Sequence, residues 1–275
     1  MAQQTANKMA ELFAAYEQDS NLEMDRIRVL IYGGSGTGKT YSLRTFRYPL
    51  WVDSFDPQGS IALQDLVKEG NAIIQNAYED ENPDKPKAFE AWDTAFTKQV
   101  QQGLFNHVGT YVLDSATTWA SAALNVVLAK SGRPGGVPQQ NDWYPQMVLM
   151  EKGLRRIMTL PCDIVFICHD DVVEDKILGS ISRSPMMTGK LKKRIPLLFS
   201  EVYYAQARRT SKGTEYVWQM QRDAQNEARS RMQALPSAKG SKFETLELAD
   251  FRALTKKFGV SYDNLPSFKE LKTHE

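Results

Sequence analysis

The sequence predicts an α/β protein: a mostly parallel central sheet flanked by helices, followed by an antiparallel hairpin toward the C-terminus. Short apolar runs, which suit strands buried on both faces, alternate with amphipathic helical patterns over the first two thirds of the chain. A glycine-rich loop joins the first of these strands to a helix. The chain has 275 residues, 42% of them hydrophobic and 24% charged, which is enough to bury one sizeable core.

Five short runs are predicted to form the parallel sheet: 26–32, Leu50–Val52, Ala72–Ile74, Tyr111–Leu113 and Ile164–Ile167. Helical patterns follow the glycine-rich loop and recur around residues 89–100, 119–127 and 144–154. Strands that alternate with helices favour parallel pairing, since each helical crossover returns the chain to the same edge of the sheet.

The pattern changes after residue 200, where two β-rich runs, Val202–Ala207 and Tyr216–Met220, flank turn residues and predict the antiparallel hairpin. We divide the chain into an N-terminal segment (1–25), a core (26–236) and a polar C-terminal tail with one short helix (237–275). The N-terminal segment is predicted to be an amphipathic helix that lies on the core or on a neighbouring subunit. Its apolar residues at helical spacing are Met9, Leu12, Phe13 and Tyr16.

The glycine-rich loop is a complete phosphate-binding motif, here called the phosphate loop. It matches G-x-x-x-x-G-K-[ST] through Gly33, Gly34, Ser35, Gly36, Thr37, Gly38, Lys39 and Thr40. The glycines let backbone N–H groups surround the β-phosphate, Lys39 reaches the β- and γ-phosphates, and the Thr40 hydroxyl binds Mg²⁺. We predict that this loop and the adjacent Tyr41 bind ATP with Mg²⁺.

A phosphate loop needs an acidic partner for the metal at the end of a neighbouring buried strand. Asp114 fits, because the apolar run Tyr111–Leu113 leads directly into it. An aspartate before Ser115 also suits a helix cap, and the two roles are compatible. One more strand, Ala72–Ile74, intervenes in the chain between the loop helix and this aspartate. We predict that Thr40 and Asp114 hold the metal.

Two aspartates near the end of the second strand are candidates for the base that orients the attacking water. Asp53 ends the strand, while Asp56 precedes a proline and equally suits a plain turn. The run Ile164–Ile167 leads to His169, which could sense the γ-phosphate or serve only as a structural histidine. With Lys39, these residues form the predicted catalytic group.

Composition and patterning exclude several classes of protein. A formal net charge of +1 argues against a globally basic surface, so binding of a polyanion requires a local patch. Cys162 and Cys168 flank a core strand and lack the spacing of a zinc site or a disulfide framework. No apolar run approaches the ~20 residues of a membrane helix, and the N-terminus lacks a signal-peptide core. We therefore expect a cytoplasmic protein without a membrane partner.

In order and spacing these motifs resemble the RecA-like phage nucleotide-binding ATPases, a group that includes core-only recombinases acting as ATP-dependent single-strand annealing proteins. The resemblance covers residues 26–236 and rests on Gly33–Thr40, Trp51–Gly59, Val112–Ser115, the strand ending at His169, the segment from Thr188 to Val202, and Ala228–Arg231. It implies a RecA-like core, Mg²⁺-dependent ATP hydrolysis and assembly into a homo-oligomeric ring or filament. It also implies action on single-stranded DNA in a host-cell cytoplasm, with a single-strand-binding protein as a further partner.

The chain departs from this group at one catalytic position. RecA-like enzymes usually carry a catalytic glutamate after the second strand, whereas here Phe55 stands near that position and Asp56 follows. RecA-like ATPases also often carry a basic pair, spaced two residues apart, that reaches the nucleotide of the adjacent subunit. The resemblance gives this role to Arg229 and Arg231, for which a solvated basic turn is the alternative.

Residues 176–194 are basic, carry no acidic residue, and are rich in Gly, Ser and Met. Such a segment suits a mobile loop along a phosphate backbone, and in RecA-like proteins the loop at this place contacts single-stranded DNA. The expected contacts are Arg183, Lys190, Lys192, Lys193 and Arg194, with Arg133 in a second loop at 131–140. A solvated surface is the alternative for both loops.

Three functions are compatible with these residues. The first is an oligomeric ATPase that acts on single-stranded DNA in recombination or annealing. The second is a P-loop phosphotransferase for a small molecule, which would need a closing lid with arginines. The third is a nucleotide-gated DNA-binding scaffold that hydrolyses little ATP. Stimulation of ATP turnover by single-stranded DNA separates the first function from the other two.

Overall fold

The structure is a computed structural model that describes residues 7–9, 11, 13, 26–175, 180–188 and 191–273. The strands are β1 (Arg28–Tyr32), β2 (Leu50–Ser54), β3 (Ala72–Gln75), β4 (Thr110–Asp114), β5 (Asp163–Cys168), β6 (Asp170–Asp175), β7 (Ser180–Pro185), β8 (Glu201–Thr210), β9 (Gly213–Gln219) and β10 (Glu247–Leu248). The α-helices are α1 (Lys39–Ser42), α2 (Gln64–Glu69), α3 (Ala88–Gln101), α4 (Ala116–Lys130), α5 (Trp143–Ile157), α6 (Leu191–Arg194), α7 (Phe251–Lys257) and α8 (Phe268–Thr273). Short 3₁₀ helices lie at Leu43–Thr45, Gly59–Leu63, Leu104–His107, Gln140–Asp142, Ile195–Leu198, Met232–Ala234 and Pro236–Ala238.

Eight of the described strands form the central sheet, in the order β10-β9-β8-β1-β5-β4-β2-β3. The six strands from β8 to β3 are parallel to one another, whereas β9 and β10 are antiparallel to their neighbours. The predicted fold class is therefore confirmed. The strand that separates β1 from β4 in space is β5, while β3, the extra strand noted in the sequence, forms the edge of the sheet.

The parallel register brings the carboxyl ends of the strands to one edge. Tyr32 at the end of β1 is level with Cys168 at the end of β5, and Asp114 at the end of β4 is level with Ser54 at the end of β2. Residues that follow these strands consequently gather at this edge, which is where ligands bind in open parallel sheets.

Each face of the sheet buries its own hydrophobic core. On one face α3, α4 and α5 cover an aromatic cluster in which the ring centroids of Trp92 and Trp119 are 5.3 Å apart. On the other face the residues of α2 and α7 pack together with the segment that follows α1, and the ring of Phe46 stacks on Phe251 at 4.4 Å. The phosphate loop leads into the second of these layers.

The C-terminal residues, predicted as a polar tail with one short helix, pack on the core. β10 extends the sheet by pairing with β9, and Phe251, Leu254 and Phe258 are buried in the second core. The physical reason is that α7 buries one narrow apolar stripe and presents its other, polar residues to solvent. The segment therefore looks polar in sequence although its apolar residues are well packed.

The described part of the N-terminal segment, residues 7–9, 11 and 13, is helical, with Met9 and Phe13 exposed. Leu12 and Tyr16 of the predicted apolar stripe lie outside the described residues. The assembly role of this segment stays a prediction.

The basic segment is not a single loop. β6 and β7 pair as an antiparallel hairpin from Asp170↔Pro185 to Asp175↔Ser180, and α6 follows. Val172, Val173 and Ile181 in this hairpin are exposed, so the pair lacks the buried face that produces apolar alternation in a sequence. Residues 176–179, 189 and 190 lie outside the described part of the chain.

Candidate active site

The phosphate loop leaves the carboxyl end of β1 and leads into α1, and two of its glycines are in close contact with the hairpin of β8 and β9. A Cβ on Gly33 would lie 2.4 Å from the carbonyl oxygen of Ala205 in β8. Gly38 has φ +78°, and a Cβ on it would lie 2.6 Å from the ring of Tyr216 in β9. Only glycine therefore fits at these two positions without displacement of the hairpin.

Lys39 is buried against the rim of the loop. Its Nζ donates hydrogen bonds to the carbonyl oxygens of Gly33 at 2.8 Å and Gly34 at 2.7 Å. Burial lowers the pKa of Lys39, while the nearby carboxylates of Asp114 and Asp170 oppose that shift. The ammonium group is thus already held within the loop, where phosphate oxygens can replace the two carbonyl acceptors.

Thr40 and Asp114 are in direct contact across the loop. The Thr40 hydroxyl donates a 2.8 Å hydrogen bond to the Asp114 carboxylate. Burial raises the pKa of Asp114 to about 6, against the opposing effects of that hydrogen bond and of Lys39. In the part of the chain that the structure describes, no cluster of three or more His, Cys, Asp or Glu could hold a metal ion by itself. A hydroxyl beside a carboxylate nevertheless fits Mg²⁺, which usually takes one or two carboxylate ligands together with substrate phosphates and water.

Asp56 and His169 are brought together next to Asp114. The Nε2 atom of His169 is 3.1 Å from one carboxylate oxygen of Asp56, and the hydroxyls of Ser115, at 2.9 Å, and Thr118 donate to the other. Burial alone would raise the pKa of Asp56, but the hydrogen bonds from His169, Thr118 and Ser115 outweigh it and hold the pKa below its usual value. The side chains of His169 and Asp56 remain 37% and 22% exposed, so water can reach this ionised carboxylate.

Phe55, which follows β2 directly, belongs to the hydrophobic core and not to the site. Its side chain is buried and stacks on Tyr78 at 5.2 Å, so it belongs to the core. The backbone N–H of Phe55 donates a 2.6 Å hydrogen bond to the carbonyl of Asp114, which joins the end of β2 to the end of β4. The next side chain, that of Asp56, consequently points into the site.

Glu79 holds the turn that carries Asp56, a role that the sequence did not reveal. One carboxylate oxygen accepts a 2.6 Å hydrogen bond from the Ser54 hydroxyl, and the other accepts from the backbone N–H of Gln58 at 3.0 Å. In the sequence Glu79 begins a run of acidic residues typical of a solvated loop. Its partners lie at least 21 residues away, and no local pattern indicates them.

The prediction that Asp53 is a catalytic base is wrong. Its carboxylate is completely buried on the α3 side of β2, where it accepts hydrogen bonds from Trp51 Nε1 at 3.1 Å, Trp92 Nε1 at 2.9 Å and the Tyr111 hydroxyl at 2.7 Å. Side chains alternate along a strand, so Asp53 faces the core. It joins β2, α3 and β4 and has no access to the phosphate loop.

Asp53 should leave a signature in the pH dependence of stability. Burial raises its pKa to about 6, against the hydrogen bonds from Tyr111, Trp92 and Trp51. The unfolded chain releases this proton near pH ~4, so the group's contribution to stability is lost as the pH rises from there to about 6. In wild type this loss should lower the free energy of unfolding by about 2 to 3 kcal/mol. We expect Asp53→Asn to lack that decrease.

Urea unfolding of wild type and Asp53→Asn between pH 4 and 7 measures this effect. The exposed Asp80→Asn variant is the control. Equal pH slopes for wild type and Asp53→Asn would contradict the burial of a titrating carboxyl at this position.

The resemblance assigned Arg229 and Arg231 to the nucleotide of an adjacent subunit. Both lie beside the amino end of β8, at the opposite edge of the sheet from the phosphate loop. The guanidinium of Arg229 donates to the backbone carbonyls of Pro196 and, at 2.9 Å, of Phe199, so it fixes its own chain and is not a free finger. That part of the prediction is wrong, because the spacing of two arginines does not indicate which acceptors their side chains meet. Arg231 is exposed, and its backbone N–H donates to Glu201 at the amino end of β8. An action of Arg231 on a neighbouring subunit stays a prediction.

Arg133 is also committed to its own loop. Its guanidinium donates at 2.6 Å to Asp142, which is buried, and at 3.2 Å to the carbonyl of Val137. Asp142 in turn accepts a hydrogen bond from the backbone N–H of Gln139 at 2.6 Å. Arg133 therefore shapes the loop at 131–140, and the structure does not support its assignment to DNA.

The remaining basic residues lie on or after the β6–β7 hairpin. Lys192 forms a 2.6 Å ion pair with Asp171, and Arg194 forms a 2.7 Å ion pair with Glu151. Lys193 is exposed and Arg183 is half-buried. Lys190 lies outside the described residues. DNA contact by this group stays a prediction. A DNA phosphate would have to compete with Asp171 for Lys192 and with Glu151 for Arg194.

The hairpin of β8 and β9 carries Tyr216 against the phosphate loop and Arg209 on the same face, and sequence analysis singled out neither residue. Tyr216 covers Gly38, as described above. Arg209 lies two residues beyond Ala207, the register partner of Tyr216, so Arg209 and Tyr216 share a face of the hairpin. The feature that could have indicated these two residues is the length of β8. Its pairing with β1 ends at Tyr204, and six further residues of β8 continue beyond that point.

The strand, phosphate loop, buried lysine and threonine–aspartate pair define a P-loop NTPase. The sequence model of the AAA domain family matches residues 25–232, and the chain belongs to that family. No curated protein is a significant match in sequence. Among solved structures, a KaiC-like protein from the hyperthermophilic archaeon Pyrococcus horikoshii OT3 is similar at 12% identity over 70% of this chain and 76% of its own, with a TM-score of 0.38. No helix among the described residues has the length and apolarity needed to cross a membrane.

Proposed function

We propose that this P-loop ATPase hydrolyses ATP with Mg²⁺, binds single-stranded DNA and works as a homo-oligomer in recombination or single-strand annealing. The observation that carries the nucleotide part is the 2.8 Å hydrogen bond between Thr40 and Asp114, formed beside Lys39 on the phosphate loop. It joins the metal-binding hydroxyl of the loop to the carboxylate of a strand 74 residues away, which a chance glycine-rich turn would not require.

The chain's own residues supply the remaining chemistry of hydrolysis. Mg²⁺ held by Thr40 and Asp114 would neutralise charge on the phosphates. Lys39 exchanges its carbonyl acceptors for phosphate oxygens and stabilises the negative charge that develops in the transition state. Asp56 accepts a hydrogen bond from the attacking water and orients it, while His169 holds the Asp56 carboxylate in place.

The β6–β7 hairpin is the proposed link between single-stranded DNA and the catalytic residues. β6 begins at the residue after His169, and the backbone N–H of Met186, just after β7, donates a 2.8 Å hydrogen bond to the carbonyl of His169. The backbone N–H of His169 is itself held by Thr117 at 3.1 Å. A strand of DNA that moved the hairpin would therefore move the partner of Asp56.

Measurement of ATP turnover with and without single-stranded DNA tests this proposal. Stimulation by DNA, with Mg²⁺ required, supports it. Phosphorylation of a small molecule without any effect of DNA would support a phosphotransferase, and ATP-dependent DNA binding with little turnover would support a scaffold. Either of the last two results would contradict the proposal.

We expect the combined replacement of Lys190, Lys192 and Lys193 by alanine to weaken binding of single-stranded DNA irrespective of its sequence. If each lysine neutralises one phosphate, the slope of log affinity against log salt concentration should fall by ~2 in magnitude, since a single strand releases ~0.7 counterion per contact. Fluorescence anisotropy of a labelled oligonucleotide at several salt concentrations measures the slope.

A triple alanine variant of the exposed Lys68, Lys98 and Lys242 controls for the change in net charge. An unchanged slope in the first variant, or an equal fall in both, would mean that the segment is only a solvated surface.

A further inference from the structure

Two tyrosines border the phosphate loop and have no part in the proposed hydrolysis. Tyr41 follows Thr40 in α1, and its side chain is 51% exposed. The ring of Tyr216 lies over Gly38, with its centroid 6.0 Å from that of Tyr41 and the two ring planes at 42°. The two rings thus make an open aromatic corner directly beside the loop.

Arg44 fixes the ring of Tyr41 in place. Its guanidinium carbon lies 4.3 Å from the centroid of that ring, and the guanidinium is held by Asp65 at 2.9 Å and by the carbonyl of Ala62 at 2.6 Å. A ring that is already held by packing loses little conformational entropy when a ligand stacks on it. Tyr41 is therefore prepared for a planar ligand even though half of its surface faces solvent.

The chemistry of the loop gives the bound nucleotide a direction. The Thr40 hydroxyl donates to Asp114, which ends β4, two strands from β1 on the side of β5. β8 and β9, with Tyr216, lie on the opposite side of β1. A nucleotide with its terminal phosphate at Asp114 consequently has its base at the end away from Asp114, on the side of the two tyrosines.

We propose that Tyr41 and Tyr216 form the stacking site for the base of the nucleotide held by the phosphate loop. This inference rests on the proposed binding of ATP and adds the residues that recognise its base. Every base offers a π-face, so stacking on tyrosine supplies affinity for a base rather than strict selection of adenine. The site should therefore distinguish a nucleoside triphosphate from inorganic triphosphate.

Calorimetric titration of the full chain with ATP and with inorganic triphosphate, each in the presence of Mg²⁺, tests the inference. We expect Tyr41→Ala and Tyr216→Ala each to weaken ATP binding roughly tenfold, as stacking energies imply, and to leave the affinity for inorganic triphosphate unchanged. Tyr216→Phe should restore ATP affinity because it keeps the ring. Tyr144→Ala, on the exposed face of α5, is the matched control and should bind both ligands as wild type does.

The two ligands separate failure of this inference from failure of the proposed function. If wild type binds neither ligand, the nucleotide site itself is refuted. If wild type binds ATP and both alanine variants keep that affinity, the stacking site alone is refuted. An equal loss of ATP and triphosphate would also overturn the inference, because it would show that the rings only shape the loop.

Discussion

Replacement of Lys39 by alanine is expected to abolish ATP turnover while leaving the fold intact. The Lys39 ammonium is the positive charge that the phosphate loop can bring to the transferred phosphoryl group, and it is held by Gly33 and Gly34 inside the loop. Loss of one preorganised donor to a developing charge costs ~10²–10³ in kcat, so a drop of at least this size is expected here. Steady-state turnover with saturating ATP and Mg²⁺ measures it.

The fold should tolerate this change because Lys39 is a buried charge. Burial lowers its pKa, which means that the folded state holds the ammonium at a cost, and among the described residues its hydrogen bonds go to two backbone carbonyls and to no carboxylate. The urea midpoint of Lys39→Ala should therefore match or exceed that of wild type. The control is Lys152→Ala on the exposed face of α5, which should keep full turnover. Wild-type turnover in purified Lys39→Ala would refute the phosphate loop as the active site.

The parts of the site that could be predicted from sequence are those that local sequence specifies. The phosphate loop, its strand and the aspartate that ends β4 each follow from a short run of residues. Asp56 and His169 could be named as candidates because each follows a predicted strand. Their contact could not be derived, since it joins residues 113 positions apart and exists because β2 and β5 end at the same edge of the sheet.

The failures of sequence analysis have a shared physical cause, which is that a side chain's partner is set by packing. Asp53 looked catalytic because it ends a strand, but its direction gave it Trp92 and Tyr111 as partners in the core. Arg229 was assigned to an adjacent nucleotide because it forms a basic pair with Arg231, yet two backbone carbonyls of a distant turn accept its hydrogen bonds. Charge and position along the chain predict candidates, whereas the acceptor that a group meets depends on tertiary structure.

The second large effect is expected from Arg209, which the proposed homo-oligomer would allow to act on the nucleotide of a neighbouring subunit. Arg209 is exposed near the tip of the β8–β9 hairpin, and within the described residues its guanidinium has no hydrogen-bond or ion-pair partner. β8 has by then run past the end of β1, so Arg209 projects from the same edge of the sheet as the phosphate loop. Arg231, in contrast, lies at the amino end of β8.

Action in trans depends on the proposed homo-oligomer. A heterologous interface, which closes into a ring or extends into a filament, places one surface of a subunit against a different surface of the next, so it can bring an arginine of one subunit to the phosphate loop of another. An arginine finger contributes ~10³–10⁵ to kcat, so Arg209→Ala should depress the maximal rate far more than the affinity for ATP.

Mixing of variants tests the action of Arg209 in trans. Lys39→Ala subunits keep Arg209 but have a disabled loop, whereas Arg209→Ala subunits keep the loop. We expect each variant to be inactive alone and a mixture shown to co-assemble to recover part of the ATPase activity, because some intact loops then face an intact arginine. Arg208→Ala, one residue away on the opposite face of the hairpin, is the matched control and should keep its activity. Absence of recovery would refute action in trans by Arg209, and loss of activity in Arg231→Ala with recovery in its mixture would return the role to Arg231.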